Sequence, residues 1–265
     1  MKWWFSDYDG TINLNHDDSI DKRDLKFIND FIKNNNQFAI ASGRLHKEIK
    51  GVLKNAKLNY DYIIACNGAA VYDEDDNLIQ EQAIEMDERK QILEILNNNK
   101  HLITGYCDLD ERKDYNATVI EEVNSNPFFI GTIPLDNNYT QGELDILNSK
   151  NINIIYFYGL ENDLLKLQKE VNSADHNFKA IKTHTNVLEI VHKKVSKAFG
   201  IELIMKQHNI GIEDIITSGD GENDIEMLRF TKNSFAMNTA KPNVLKEGQH
   251  IIANVFEIGN FISIN

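Results

Sequence analysis

Short unbroken apolar blocks alternate along this chain with longer stretches in which apolar positions recur every three or four residues. A block of that length, with no polar partner on alternate positions, predicts a strand buried on both faces. Lys2–Phe5, Phe38–Ala41 and Tyr62–Ala65 are three such blocks. Between the first two, Ile20, Leu25, Ile28, Phe31 and Ile32 fall at helical spacing, which predicts a helix over about Ile20–Lys33 capped by Ser19 or Asp21. A second helix follows Ser42-Gly43-Arg44 and runs to about Leu53, and Asn67-Gly68 is a turn signal after the third strand. Strand, helix, strand, helix, strand implies a right-handed parallel α/β sheet.

The pattern then changes. Val71-Tyr72 and Leu78-Ile79 flank the polar run Asp73–Asn77 and predict a hairpin. From about Gln82 to His184 the strand signals are weaker (Leu102–Tyr106, Phe128–Thr132, Ile152–Phe157), with helices over about Met86–Leu96 and Leu160–Val171. The core pattern resumes with a strand at Leu188–Val191, a helix at Ser196–Gln207, a strand at Ile215–Ser218, a helix at Glu222–Arg229 and a strand at Ser234–Ala236. The reading is therefore a parallel, Rossmann-like α/β core lobe of residues 1–80 and 186–265, with an α+β lobe of residues 81–185 inserted in it. No internal repeat is visible, and with three prolines and no long Gly/Ser stretch the lobes are joined by short hinges.

Composition narrows the partners. Of 265 residues, 42% are hydrophobic, enough for a packed interior. The net charge of -13 argues against nucleic acid or an anionic membrane surface, both of which need a basic face. A small anionic substrate remains compatible with it, because a metal and a few cations can reverse the field inside one cleft. Cys66 and Cys107 have no metal-like spacing and read as small buried side chains. No apolar run reaches membrane-span length and no signal-like stretch opens the chain, so a cytoplasmic protein is expected. The frequent asparagines are a composition bias.

The candidate chemistry gathers at strand ends. Asp7-Tyr8-Asp9-Gly10-Thr11 follows the first strand, and Gly219-Asp220-Gly221-Glu222-Asn223-Asp224 follows Ile215–Ser218. Ligands of open parallel sheets bind at the carboxyl ends of the strands, so the two clusters converge. Two unit charges about 4 Å apart repel by about 4 kcal/mol at an effective dielectric near 20, so such a gathering wants a cation. All-oxygen donors suit Mg²⁺, which a substrate phosphate commonly completes. Asp7 can ligate a metal or attack phosphorus, and Asp9, brought back by a turn at Gly10, can act as acid and base. A surface turn or a fragment of a calcium loop would also give Asp-x-Asp-Gly, but the later acidic positions of a calcium loop are missing. Ser42-Gly43 opens a helix and can cradle an anion, or merely cap it. Asp220 is expected to ligate the metal directly, with Asn223 and Asp224 pointing back at it from the next turn. Glu222 is explained by the helix macrodipole. Lys193, Lys194 and Lys197 compete for the role of phosphate-binding cation. His184 and His192 lack a partner at ligand spacing and read as structural, while Arg44 is left open.

In order and spacing, the segments at Asp7, Ser42, Lys197 and Gly219 resemble the four motifs of the haloacid dehalogenase superfamily. Asn67-Gly68-Ala69, and Ala236-Met237-Asn238 with Lys241, are similar to its Cof-type sugar-phosphatase branch, whose large α+β cap matches the insert. The resemblance implies Asp7 as nucleophile and Mg²⁺ ligand, and Asp9 as acid/base with its backbone carbonyl on the metal. It implies the Tyr8 N–H, Ser42, Gly43, Lys197 and Asn223 as phosphate holders, Asp220 as Mg²⁺ ligand and Asp224 as support for the metal's shell. The branch's usual lysine motif aligns its last lysine with Lys197, although His192, Lys194 and Ala198 replace a proline and two glycines. Met237-Asn238-Thr239 lacks a glycine and an alanine common there.

The expected activity is Mg²⁺-dependent hydrolysis of small phosphate monoesters, sugar phosphates first, through a phosphorylated Asp7. The cap is expected to close over the site and choose the substrate. The partner is a small phosphorylated metabolite, with no nucleic acid and no membrane, and the protein is expected to be a monomer or small homo-oligomer. A phosphomutase of the same superfamily and a non-catalytic sugar-phosphate sensor are the alternatives; a sensor need not keep Asp7, Asp9, Lys197 and Asp220 together.

Overall fold

The structure is a computed structural model that describes residues 1–116 and 139–263. In chain order these form β1 (Trp3–Ser6), α1 (Lys22–Lys33), β2 (Gln37–Ala41), α2 (His46–Ala56), β3 (Tyr62–Ala65), β4 (Ala70–Asp73) and β5 (Leu78–Glu81). There follow α3 (Arg89–Asn98), β6 (Ile103–Cys107), β7 (Arg112–Asn116), α4 (Tyr139–Asn148), β8 (Ile154–Tyr158), α5 (Glu161–Ser173), β9 (Phe178–His184) and β10 (Val187–His192). The chain ends with α6 (Lys197–His208), β11 (Ile215–Gly219), α7 (Ile225–Arg229), β12 (Ser234–Met237), α8 (Pro242–Leu245) and β13 (His250–Ile252). Two compact units result: residues 1–81 with 195–265, and residues 82–194.

The first unit is built on an eight-stranded sheet in the order β13-β12-β11-β1-β2-β3-β4-β5. It is parallel from β13 to β3 and turns antiparallel at β4 and β5. The polar hairpin of the sequence reading thus extends the core sheet. Adjacent residues of β1 serve opposite faces. Trp3 and Phe5 pack with Ile201 and Ile204 of α6 and Met227 of α7. Trp4 turns the other way, its ring 5.7 Å from Phe27 and 5.7 Å from Phe31 of α1. Helices on both faces explain why these strands are apolar without alternation. Asp21 caps α1, its carboxylate accepting from the Arg23 N–H at 2.7 Å, and Ser196 caps α6, its hydroxyl accepting from the Phe199 N–H at 3.2 Å.

The chain winds from β1 to β2 and β3 on one side, then returns to lay β11, β12 and β13 on the other. The order therefore reverses between β1 and β11, whose register pairs Ser6 with Ser218. At such a reversal the loops leaving the strands diverge and open a crevice. Asp7 and Asp220 follow those two strands.

The second unit is an antiparallel sheet in the order β7-β6-β8-β10-β9. Ile92 and Leu96 of α3, Ile146 of α4 and Leu164, Leu167 and Val171 of α5 cover one face, against Tyr106, Ile155, Phe157, Phe178, Leu188 and Ile190. Buried Arg89 ties α3 to the end of α4 by donating to the carbonyls of Ile84, Ile146, Ser149 and Lys150. Here the sequence reading needs correction. The strand at Leu188–Val191, assigned to the core lobe, pairs with β8 and β9 instead, so the unit extends to Lys194. An apolar run such as Val-Leu-Glu-Ile-Val specifies burial and not which sheet receives it. Glu81, placed in the insert, ends β5 of the core sheet. Strands β7, β9 and β13 and helices α4 and α8 were not anticipated, and the strand expected at Phe128–Thr132 lies outside the described residues.

Candidate active site

Asp7 leaves β1 while still held to β11, its N–H donating to the Ser218 carbonyl at 2.9 Å. The chain then turns sharply: the Tyr8 carbonyl accepts from the N–H groups of Thr11, Ile12 and Asn13. Gly10 makes this turn at φ +83°, and a Cβ there would lie 2.4 Å from Asp220 Oδ2, so glycine is needed for both the angle and the approach. Thr11 Oγ1 donates to Asp220 Oδ1 at 3.0 Å, which pins the two acidic loops together.

The second loop is folded around a carboxylate. Asp224 Oδ2 accepts from the N–H groups of Asp220 at 3.0 Å and Gly221 at 2.8 Å. Its other oxygen accepts from Lys197 Nζ at 2.6 Å, and the same ammonium donates to Asp7 Oδ1 at 2.5 Å. Lys197 is fully buried at the first position of α6, whereas Lys193 and Lys194 are exposed and belong to the second unit. Of the three competing lysines, Lys197 is the one in the same unit as the acidic cluster, and it is bonded to it.

Oxygens of Asp7, Asp220 and Asp224 all lie within 4.8 Å of one another. Asp7 Oδ2 is buried and has no hydrogen-bond partner. Burial, helped by the charges of Asp224 and Asp220 and opposed by Lys197, holds the Asp7 carboxyl well above the ordinary carboxylate range. Burial and then Asp224 push Asp220 up to about 6. Burial works against the Lys197 ammonium, but Asp224 and Asp7 outweigh it and keep the lysine charged. Three carboxylates facing one ammonium leave two negative charges uncompensated when all are ionised. A divalent cation matches that deficit, and the donors are the hard oxygens Mg²⁺ takes.

Asp9 is placed differently. Its carboxylate is outside the triad and lies in the fork of Arg44, with Nε at 2.7 Å and one terminal nitrogen at 2.6 Å. Asn13 Nδ2 donates to it at 3.0 Å, and Arg44 also reaches Asp18 at 2.8 Å and lies over the Tyr8 ring, 5.3 Å from its centroid. Arg44, left open in the sequence, is thus the partner of the expected acid/base. Asn13 had no signal except its distance from Asp9.

Ser42 and Gly43 leave β2 in the same unit. Ser42 is buried and its Oγ accepts from the Arg44 N–H at 3.1 Å. The Ser42 carbonyl accepts from the Asn67 N–H at 2.9 Å, and Asn67 Oδ1 accepts from Asn223 Nδ2 at 2.9 Å. Ser42 and Asn223 therefore belong to one hydrogen-bonded chain centred on Asn67, with Gly43 packed beside the Asn67 amide. Tyr8 is buried among these loops with its hydroxyl unpartnered. Glu222 faces Lys241 at 3.7 Å. His192 is a structural residue of the second unit: its Nδ1 accepts from the Lys194 N–H at 3.1 Å, and Glu85 lies 3.6 Å from Nε2. His184 ends β9 in that unit, exposed, and both cysteines are buried and in no disulfide. Among the described residues no helix is long and apolar enough to cross a membrane.

The family model of haloacid dehalogenase-like hydrolases matches residues 4–259. A proposed phosphatase of Buchnera aphidicola from the aphid Acyrthosiphon pisum is 29% identical, over 90% of this chain and 85% of its own. A proposed phosphatase of Bacillus subtilis is 25% identical, over 96% and 93%. Among solved structures, a phosphatase of the same superfamily from Bacteroides thetaiotaomicron superposes with a TM-score of 0.83 at 18% identity, covering 100% of this chain and 96% of that one. A subclass IIB sugar phosphatase superposes with a TM-score of 0.81 at 19% identity over the full length of both chains.

Proposed function

The chain belongs to the haloacid dehalogenase-like hydrolases and is a phosphatase of that family, and on this premise we propose that it hydrolyses small phosphate monoesters, sugar phosphates first, through a phosphorylated Asp7. One observation carries the reading. Asp7 holds one oxygen against Lys197 and leaves the other buried and unpartnered at the switch point of a parallel sheet. A buried carboxylate oxygen without a donor is costly unless a ligand meets it.

The residues fit Mg²⁺. Asp7 and Asp220 would hold it, with the Asp9 backbone carbonyl, while Asp224 orders the loop around it. The chemistry the ion supplies there is charge neutralisation at the phosphoryl oxygens and polarisation of phosphorus. Everything else is done by the chain. Asp7 Oδ2 attacks phosphorus in line as the P–O bond to the leaving group breaks, and the leaving oxygen takes its proton from Asp9. Asp9 then accepts a proton from water, whose oxygen attacks phosphorus and frees Asp7 and inorganic phosphate. Lys197, Ser42, Gly43, the Tyr8 N–H and Asn223 hold the phosphoryl oxygens and neutralise charge in the transition state. Because Arg44 occupies both oxygens of Asp9, that fork has to loosen before Asp9 can reach a leaving group. The inserted unit, residues 82–194, is assigned to substrate choice.

The test is hydrolysis of p-nitrophenyl phosphate and of a panel of sugar phosphates by the purified protein, with Mg²⁺ and with EDTA. Turnover that requires the metal is expected. Turnover undiminished in EDTA, or no turnover of any phosphate monoester, refutes the proposal.

A further inference from the structure

Three successive residues at the end of β3 adopt left-handed backbone: Cys66 at φ +53°, Asn67 at φ +56° and Gly68 at φ +101°. Only the glycine does so without cost, and a buried cysteine and asparagine held there need surroundings that over-determine them. Such outliers concentrate where a side chain must be aimed. Asn67 is buried, with 1% of its surface exposed, and its amide lies against the Cα of Gly43. A Cβ on Gly43 would approach Asn67 Oδ1 to 3.2 Å. Its N–H is fixed to Ser42 and its side-chain oxygen to Asn223. On the far side Gly68 packs on the start of α6, where a Cβ would come within 2.0 Å of the Ser196 carbonyl. The turn therefore joins the Ser42–Gly43 loop, Asn223 and the residue preceding Lys197.

The bond to Asn223 has a chemical consequence. A primary amide can present either its NH₂ or its oxygen to a ligand, and only the NH₂ attracts a phosphoryl oxygen. Asn67 Oδ1 takes one hydrogen of Asn223 Nδ2, while Asn223 Oδ1 lies on the Gly221 side, 2.3 Å from where a Gly221 Cβ would be. The second N–H is left as the ligand-facing donor. We propose that Asn67 is a positioning residue that fixes the orientation of the Asn223 amide, so that the site offers a donor and not a repelling carbonyl oxygen to the phosphoryl group. The inference rests on the reading of the site as phosphatase and of Asn223 as a phosphate holder.

The test compares wild type, Asn67→Gly, Asn223→Ala and the double variant on p-nitrophenyl phosphate with Mg²⁺. Glycine accepts φ +56° and removes only the amide, so the thermal midpoint should stay near wild type. Asn67→Gly should lower kcat/KM about tenfold, the scale of one charge-assisted hydrogen bond, and the double variant should be no worse than Asn223→Ala alone. A merely structural role would instead lower the midpoint and add to the Asn223→Ala effect. If wild type hydrolyses the ester and Asn67→Gly stays within about twofold of it, or the two effects add, the inference falls and the phosphatase reading stands. If wild type hydrolyses no phosphate ester, both fall. Should Asn67→Gly fail to fold, a crystal structure of wild type with inorganic phosphate decides. Asn223 Nδ2 is expected within hydrogen-bond distance of both Asn67 Oδ1 and the anion, and an amide turned away from Asn67 overturns the inference.

Discussion

Replacing Lys197 by methionine removes the buried ammonium while keeping most of its stem. Asp7 and Asp224, at 2.5 Å and 2.6 Å from Nζ, then face each other without a cation in the metal-free protein. Removing one partner of a buried ion pair costs about 3–5 kcal/mol, because the other charge stays desolvated. For a chain of this size each kcal/mol lowers the midpoint by about 2–4 °C, so a fall of roughly 6–20 °C in EDTA is expected. Both tryptophans of the chain, Trp3 and Trp4, lie buried in β1 beside the site, so tryptophan fluorescence reports the first unit specifically. Excess Mg²⁺ should restore part of the loss by neutralising the cluster through Asp7 and Asp220, yet turnover should not return, since Lys197 then no longer grips the phosphoryl oxygens. Lys194→Ala, on the exposed turn, should change stability by no more than about 0.5 kcal/mol. A Lys197→Met protein as stable in EDTA as wild type, or as active, would refute the claim that this lysine neutralises the cluster.

Two further outcomes follow from the same contacts. Arg44→Ala frees Asp9 from the fork that has to open before it can act, so alkyl phosphates, whose leaving group needs the Asp9 proton, should turn over at least as fast as in wild type, and p-nitrophenyl phosphate, whose leaving group needs no proton, should barely change; a loss of about tenfold or more confined to alkyl phosphates would contradict the view that the fork must open. The Asp220 carboxyl, raised from its ordinary 3.8 to about 6 by burial and Asp224, binds a proton in the folded state that the unfolded chain has already released. Its contribution to metal-free stability therefore falls as pH rises from about 4 to about 6, by an amount on the order of 3 kcal/mol. Relative to Asp220→Asn, wild type in EDTA should lose urea resistance across that window, and a gain would contradict the electrostatics.

The residues at the centre of the site were legible because chemistry and strand ends coincide. Asp7 and Asp220 each follow an apolar block, and a parallel sheet brings such positions together whatever their distance along the chain. The pairing of Lys197 over Lys194 came from resemblance; the structure supplies the physical ground, namely burial at the first turn of α6. What escaped the sequence depends on long-range pairing. Nothing local in Val187–His192 says that it joins β8 rather than β3. Arg44 is defined by Asp9, 35 positions away, and Asn67 by Asn223, 156 positions away, so neither role shows in a local pattern. Asn67-Gly68 read as a turn and, with Ala69, as part of the branch resemblance, but gave no sign of the left-handed backbone at Cys66 and Asn67, which is imposed by packing.

The central claim is that Asp7 itself becomes phosphorylated. Rapid mixing with a phosphate ester and Mg²⁺, acid quenching and mass analysis of the peptide containing Asp7 tests it directly. One phosphoryl group on that peptide is expected in wild type, and none in Asp7→Asn, which should also be inactive. Full turnover by Asp7→Asn, or phosphorylation at another residue, would contradict the account.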